Sequence, residues 1–112
     1  MPLIFSYGTL QRPDVQLSTF GRLLRGQRDA LPQYELSRVA IVDPAVAAAA
    51  GRSHHDNATF TARPESQVRG TVFELTEAEL AAADSYEQPA SYARRLVTLA
   101  SGKQAWIYVH AG

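Results

Sequence analysis

Val68-Arg69-Gly70-Thr71-Val72-Phe73-Glu74-Leu75-Thr76-Glu77-Ala78-Glu79-Leu80 is the stretch on which the reading of the fold turns. Its first eight residues set Val68, Gly70 and Val72 on one side and Thr71, Phe73 and Leu75 on the other, the alternation of a strand. Thr76 and Glu79 then stand at the spacing of a capping box, in which the threonine hydroxyl accepts from the Glu79 amide while the Glu79 carboxylate reaches back. Leu75 and Leu80 occupy the staple positions that flank such a cap. A strand should therefore run directly into a helix over residues 77–86, which Pro89 prevents from continuing far.

Downstream, Tyr92–Leu99 and Lys103–His110 read as strands joined by a tight turn at Ser101-Gly102, a hairpin. Upstream, Leu3–Tyr7 reads as a short strand ended by Gly8. Arg12-Pro13-Asp14 reads as a turn or helix start, with a helical turn or two over Val15–Leu24. Two weaker strand patterns lie between Gly26 and Val42, the clearer over Tyr34–Ile41, before a turn at Asp43-Pro44. Ala45–Ala50 is expected to form a helical turn. Gly51–Asn57, polar and carrying His54 and His55, is expected to be a loop, followed by a short strand at Thr59–Ala62 and a break at Pro64-Glu65-Ser66. The 112 residues show no repeat or linker, and one domain over 1–112 is expected.

Composition narrows the function. Hydrophobic residues make up 46% and charged residues 20%, enough apolar material for a core and too little charge for a disordered chain. Eleven basic and eleven acidic residues cancel, which removes the electrostatic case for nucleic acid or an anionic membrane surface. With no cysteine there is no disulfide, no thiolate nucleophile and no Cys-ligated zinc. Met1–Tyr7 has no basic segment and only a three-residue apolar run, neither a signal peptide nor a spanning helix, so a cytoplasmic protein is expected. His54 and His55 have no third ligand at metal spacing, and no metal is expected.

The helix carries an oddity. Stepping from Leu80 at helical spacing gives Ala83, Asp84 and Glu87, so two carboxylates lie on or beside the stripe that should be apolar. Burial and the negative end of the helix dipole both raise a carboxyl pKa toward the range useful for proton transfer. The alternative is structural: both acids sit at a frayed helix end and bond backbone or Arg94. Tyr7-Gly8-Thr9-Leu10 is the second signal, since a glycine after a strand lets backbone amides approach a ligand closely, although an ordinary strand-ending turn has the same appearance. Tyr7, Tyr92 and Tyr108 fit pocket or core equally, Arg94 fits a substrate contact or an ion pair with Asp84, and Trp106 fits packing.

Taken in order, these segments resemble the gamma-glutamylcyclotransferase-like (AIG2-like) family. Tyr7-Gly8-Thr9-Leu10 resembles its substrate loop. Val68–Leu75 resembles its "V-x-G-x-x-(aromatic)-x-hydrophobic" strand, and Ala83-Asp84-Ser85-Tyr86-Glu87 the helix end bearing the catalytic glutamate. Tyr92–Val97 is similar to "Y-x-R-x-x-V", and Ala105–Val109 to the closing "A-W-x-Y-V" strand. Two departures stand out: Gln88-Pro89 follows the glutamate where glycine is usual, and Ala83 replaces a leucine.

The resemblance implies an α/β fold of α+β type: a small, mostly antiparallel or mixed sheet curled into a barrel, with one main helix and short helical turns outside. It implies cyclisation of a gamma-glutamyl amide or peptide to 5-oxoproline with release of an amine or amino acid, without a cofactor. Glu87 would be the catalytic base and acid, and Tyr7, Gly8, Thr9, Leu10, Tyr92 and Tyr108 would contact substrate. Amides of the Gly8–Leu10 loop would bind either the substrate α-carboxylate or the developing oxyanion. The partner it implies is a small gamma-glutamyl molecule; the sequence does not choose between monomer and homodimer. A non-catalytic binding or regulatory module, or a scaffold for a protein partner, is the alternative from another class.

Overall fold

The computed structural model describes residues 1–40, 45, 48, 54–90 and 92–110. The stretch from Val68 to Leu80 behaves as its pattern dictates. Strand β5 (Gln67–Glu74) leads into the longer helix, α2 (Glu77–Glu87). The Thr76 hydroxyl accepts from the Glu79 amide at 3.1 Å, and the Thr76 amide donates to the Glu79 carboxylate at 2.9 Å, so both halves of the capping box form. Leu75 and Leu80 are buried in one cluster with Ala83, which fixes the angle at which the strand enters the helix.

The other strands are β1 (Leu3–Ser6), β2 (Gly26–Pro32), β3 (Tyr34–Ala40), β4 (His54–Phe60), β6 (Tyr92–Thr98) and β7 (Gln104–His110). Five of them make a sheet of order β2-β5-β1-β7-β6, and β3 with β4 makes a separate two-stranded ribbon. Neighbours in the five-stranded sheet are antiparallel except β1 and β7, which run parallel with Ile4 opposite Trp106. The sheet is therefore mixed, with β2 and β6 as its outer strands. It does not close, so the expected barrel is not found among the described residues.

Both faces of this sheet are covered. Phe5, Val68, Val72, Ala105, Ile107 and Val109 pack with Ala58 of the ribbon, and Tyr34 packs against them. Ile4, Phe73, Leu75 and Tyr108 face the other way, toward Leu10, Leu80 and Ala83. A sheet buried on two sides explains why β5 and β7 carry apolar residues at successive positions rather than in strict alternation. Fully burying each of the larger side chains contributes roughly 1.5–3 kcal/mol.

Three expectations need correction. The first helix, α1, spans Pro13–Phe20 rather than reaching Leu24, because Gly21 takes the left-handed conformation (φ 74°) and its amide closes on the Leu17 carbonyl. His54–Asn57 is not loop but the first half of β4, paired residue by residue with Ser37–Ala40. Polar side chains are tolerated there because the ribbon docks through polar links: the Asn57 side chain accepts from the His110 amide at 2.9 Å, and the Asp56 carbonyl accepts from the Tyr92 hydroxyl. The expected strand at Thr59–Ala62 is the end of the same element, which stops at Phe60. The turn expected at Asp43-Pro44, most of the helical turn expected over 45–50, and Gly51–Ser53 lie outside the described residues.

Candidate functional site

The site is assembled where β1 ends. Ser6 is the last residue of β1, and after Tyr7 and Gly8 the chain turns into a single 3₁₀ turn at Thr9–Gln11. Leu10 is buried and plugs this turn into the core beneath the helices. Gln16 of α1, itself buried, locks it from behind: its amide nitrogen donates to the Leu10 carbonyl and its oxygen accepts from the Leu24 amide, each at 2.9 Å. From β5, the Thr71 hydroxyl donates to the Gln11 side chain at 3.1 Å. The loop is therefore held on three sides, while nothing approaches within 4 Å of the position a side chain on Gly8 would take.

α2 closes the opposite wall. The hydroxyls of Thr9 and Tyr86 hydrogen-bond at 2.8 Å, which ties the loop to the residue next to Glu87. The stripe read from sequence is real but divides in two. Asp84 is the structural acid: it accepts from the Tyr108 hydroxyl at 2.7 Å and from Arg94 Nε at 3.0 Å. Glu87, half-buried at the end of α2, has no hydrogen-bond or ion-pair partner among the described residues.

That difference sets its acidity. Burial without a compensating partner disfavours the carboxylate and pushes the Glu87 pKa up from 4.5 to about 7. Glu79, on the same helix, shows the opposite case. Two hydrogen bonds from Arg22, at 2.7 and 2.8 Å, hold it down at about 2.

The tyrosines divide likewise. The Tyr7 hydroxyl donates to the Tyr108 carbonyl at 2.5 Å and accepts from the Ala58 amide at 3.2 Å, so it bridges the main sheet and the ribbon. Tyr108 is buried, and its hydroxyl is fixed on Asp84. Burial pushes both phenols well above their ordinary range, and the Glu87 charge pushes each further in the same direction. Tyr92 joins them through its influence on Tyr7, and its ring meets His110 edge-on at 5.7 Å. Thus Tyr7 and Tyr108 are hydrogen-bonded to each other and both feel the Glu87 charge, Tyr92 acts on Tyr7, and Thr9 is linked to Glu87's neighbour Tyr86, whereas the Leu10 side chain belongs to the core. Arg94 is the ion-pair partner of Asp84 and lies over the Trp106 ring at 4.6 Å.

Sequence reasoning missed Gln16, Gln11 and Asp56. Gln16 fixes the loop from α1, Gln11 is the loop residue through which Thr71 of β5 holds it, and Asp56 belongs to a strand too polar to read as one. A glutamine on the inner face of α1 was the one available sign.

A pH dependence of stability follows. The Glu87 pKa lies higher in the folded protein than in the unfolded chain, so its contribution is fully present below about 4.5 and is lost as pH rises through about 7. Relative to Glu87→Gln, the wild type should lose on the order of 2 kcal/mol of unfolding free energy between pH 5 and pH 8, allowing for residual solvent access. Urea unfolding of both proteins at the two pH values checks this. Parallel losses would mean that the carboxyl titrates normally.

Fold and geometry together define a small α+β protein built around a half-buried, unpaired carboxylate beside a strand-end loop. The family model for gamma-glutamyl cyclotransferase, AIG2-like, matches residues 4–112, and the chain belongs to that family. No curated protein matches it. Among solved structures it is similar to two Arabidopsis thaliana proteins determined in solution. They are 20% and 18% identical, with TM-scores of 0.74 and 0.71; the match covers 99% and 97% of this chain and 69% and 61% of theirs. It is also similar to a gamma-glutamyl cyclotransferase at 14% identity, with a TM-score of 0.71, covering 99% of this chain and 67% of that one. The chain thus spans about two thirds of the length of these relatives, and the likeness is one of fold. Among the described residues no helix is long and apolar enough to cross a membrane.

Proposed function

We propose that this chain is a gamma-glutamyl cyclotransferase that converts a gamma-glutamyl amide or peptide to 5-oxoproline and a free amine or amino acid. The observation that carries the reading is the unpaired Glu87 carboxyl, raised to about 7 and joined through its neighbour Tyr86 to the loop at Thr9. The reaction needs a group that both accepts and returns protons near neutral pH, and such a carboxyl meets that need.

The substrate supplies its own nucleophile. Its α-amine, arriving as an ammonium, must lose two protons. The nitrogen attacks the γ-carbonyl carbon, the new C–N bond closes the five-membered lactam, and the original amide C–N bond breaks. The departing nitrogen takes up two protons and leaves as an ammonium, so the exchange balances with Glu87 loaded and unloaded in turn. Attack within one bound molecule reaches effective molarities of roughly 10⁵ M or more when the geometry is fixed, so positioning carries much of the acceleration. That role falls to the braced loop from Gly8 to Leu10, whose backbone amides would meet the α-carboxylate or the oxyanion. Tyr7, with its hydroxyl committed to the protein, would offer ring surface, Tyr92 would offer the same, and the buried Tyr108 would back them from the core.

Purified protein incubated with a panel of gamma-glutamyl amino acids, glutathione, gamma-glutamyl amines and an isopeptide to lysine should release 5-oxoproline from at least one. Binding of 5-oxoproline with no turnover across the panel would instead identify a regulatory module that keeps the pocket.

A further inference from the structure

Glu87 is short of a partner, yet the acid one helical turn before it holds a cation. Asp84 and Glu87 are three residues apart on α2 and so share a face, with Cβ atoms about 5–6 Å apart. Arg94 sits 3.0 Å from Asp84. A guanidinium that reaches one carboxylate of such a pair reaches the other by a rotamer change. We propose that Asp84 is a positioning residue that holds Arg94 over Trp106 and so denies Glu87 a counter-ion. The inference rests on the reading of Glu87 as the proton shuttle, and it explains why two acids are needed where one reacts.

Three contacts fix the arrangement. Asp84 Oδ1 accepts from both Arg94 Nε and the Tyr108 hydroxyl, and the guanidinium carbon lies 4.6 Å from the centre of the Trp106 ring. Arg94 and Tyr108 are directly opposite in the β6–β7 pairing, so the sheet presents both to the same acid. The Asp84 and Arg94 side chains are 41% and 30% exposed, and partly solvated pairs of this kind add little to stability. Placement of Arg94, rather than strength of the fold, is what the pair accomplishes.

The other groups on this side of the sheet do not replace Arg94. Tyr7 at the end of β1 and Tyr108 on β7, which feel the Glu87 charge, are phenols; Tyr92 on β6 and Asp56 on β4, which act on Tyr7, are a phenol and an acid. His110 on β7 meets the Tyr92 ring edge-on. Arg22, which follows α1, is engaged with Glu79 at the opposite end of α2. Release of Arg94 is therefore the change that would bring a fixed positive charge to Glu87, lowering its pKa and weakening its return of protons to the leaving nitrogen.

The test is the titration of the Glu87 side-chain carboxyl by carbon NMR, alongside the acidic limb of the pH–kcat/KM profile. Asp84→Asn should lower the Glu87 midpoint from about 7 by at least one unit, and Asp84→Asn with Arg94→Met should restore it. Arg94→Met alone, which leaves Asp84 uncompensated, should raise it; this variant serves if Asp84→Asn fails to fold. An unchanged midpoint in Asp84→Asn overturns the proposal. So does a fall that persists in the double variant, because the lost Asp84 charge rather than Arg94 would then be the cause. So does a fall in Arg94→Met alone. The NMR titration needs no turnover, so an absent activity would defeat the functional reading and leave this inference to be judged on its own.

Discussion

Glu87→Gln is expected to lower kcat by about 10²-fold or more, the loss that follows removal of a positioned acid/base. Glutamine keeps the size of the side chain but can neither take the amine's proton nor return one. The fold should survive, because Glu87 has no hydrogen bond or ion pair among the described residues for the substitution to break. The variant should in fact be the more stable protein at pH 8, where the wild type holds a half-buried charge that costs free energy. Affinity for 5-oxoproline should change far less than turnover. Steady-state kinetics, calorimetric titration with 5-oxoproline and urea unfolding separate these effects. Full turnover in the variant would remove Glu87 from the mechanism, and an unfolded variant would make it structural.

Two glycines give the second contrast, with opposite outcomes. At Gly70 a Cβ would lie 2.3 Å from the Ser6 carbonyl oxygen and 2.8 Å from the Phe5 ring. The first is backbone and cannot step aside, so Gly70→Val should cost at least ~3 kcal/mol of stability, at or beyond the usual range for overpacking. It should also displace the end of β1 on which the loop is mounted. At Gly8 a Cβ meets nothing within 4 Å, and φ is −131°, outside the left-handed region. Gly8→Val should therefore leave the unfolding free energy within about 1 kcal/mol of wild type. Its branched side chain occupies the space above the loop, and 5-oxoproline affinity should fall at least tenfold. Equal damage to stability at both positions would mean that the Gly8 loop is only a turn. Unchanged affinity in Gly8→Val would place the ligand elsewhere.

The local elements were legible wherever short-range chemistry decides them. The capping box at Thr76 and Glu79, the staple of Leu75 and Leu80, and the hairpin around Ser101-Gly102 are all encoded within a few residues, and each formed as its pattern dictates. Even the carboxylate stripe on α2 could be read, because helical spacing alone places Asp84 and Glu87 beside Leu80 and Ala83. β4 could not be read in this way. Its polar first half becomes a strand because Ser37–Ala40 pairs with it and because Tyr92 and His110 supply hydrogen bonds from far along the chain.

What the sequence determined, then, was the order of strands and helices, the family resemblance and the candidate acid. Which of the two acids stays unpaired was decided only by the tertiary structure. Strand β6 carries Arg94 to Asp84 and not to Glu87, and the packed core brings the Tyr108 hydroxyl to the same atom. Such partners come from elements distant in sequence, and a pKa responds to burial and neighbouring charge that no local pattern contains.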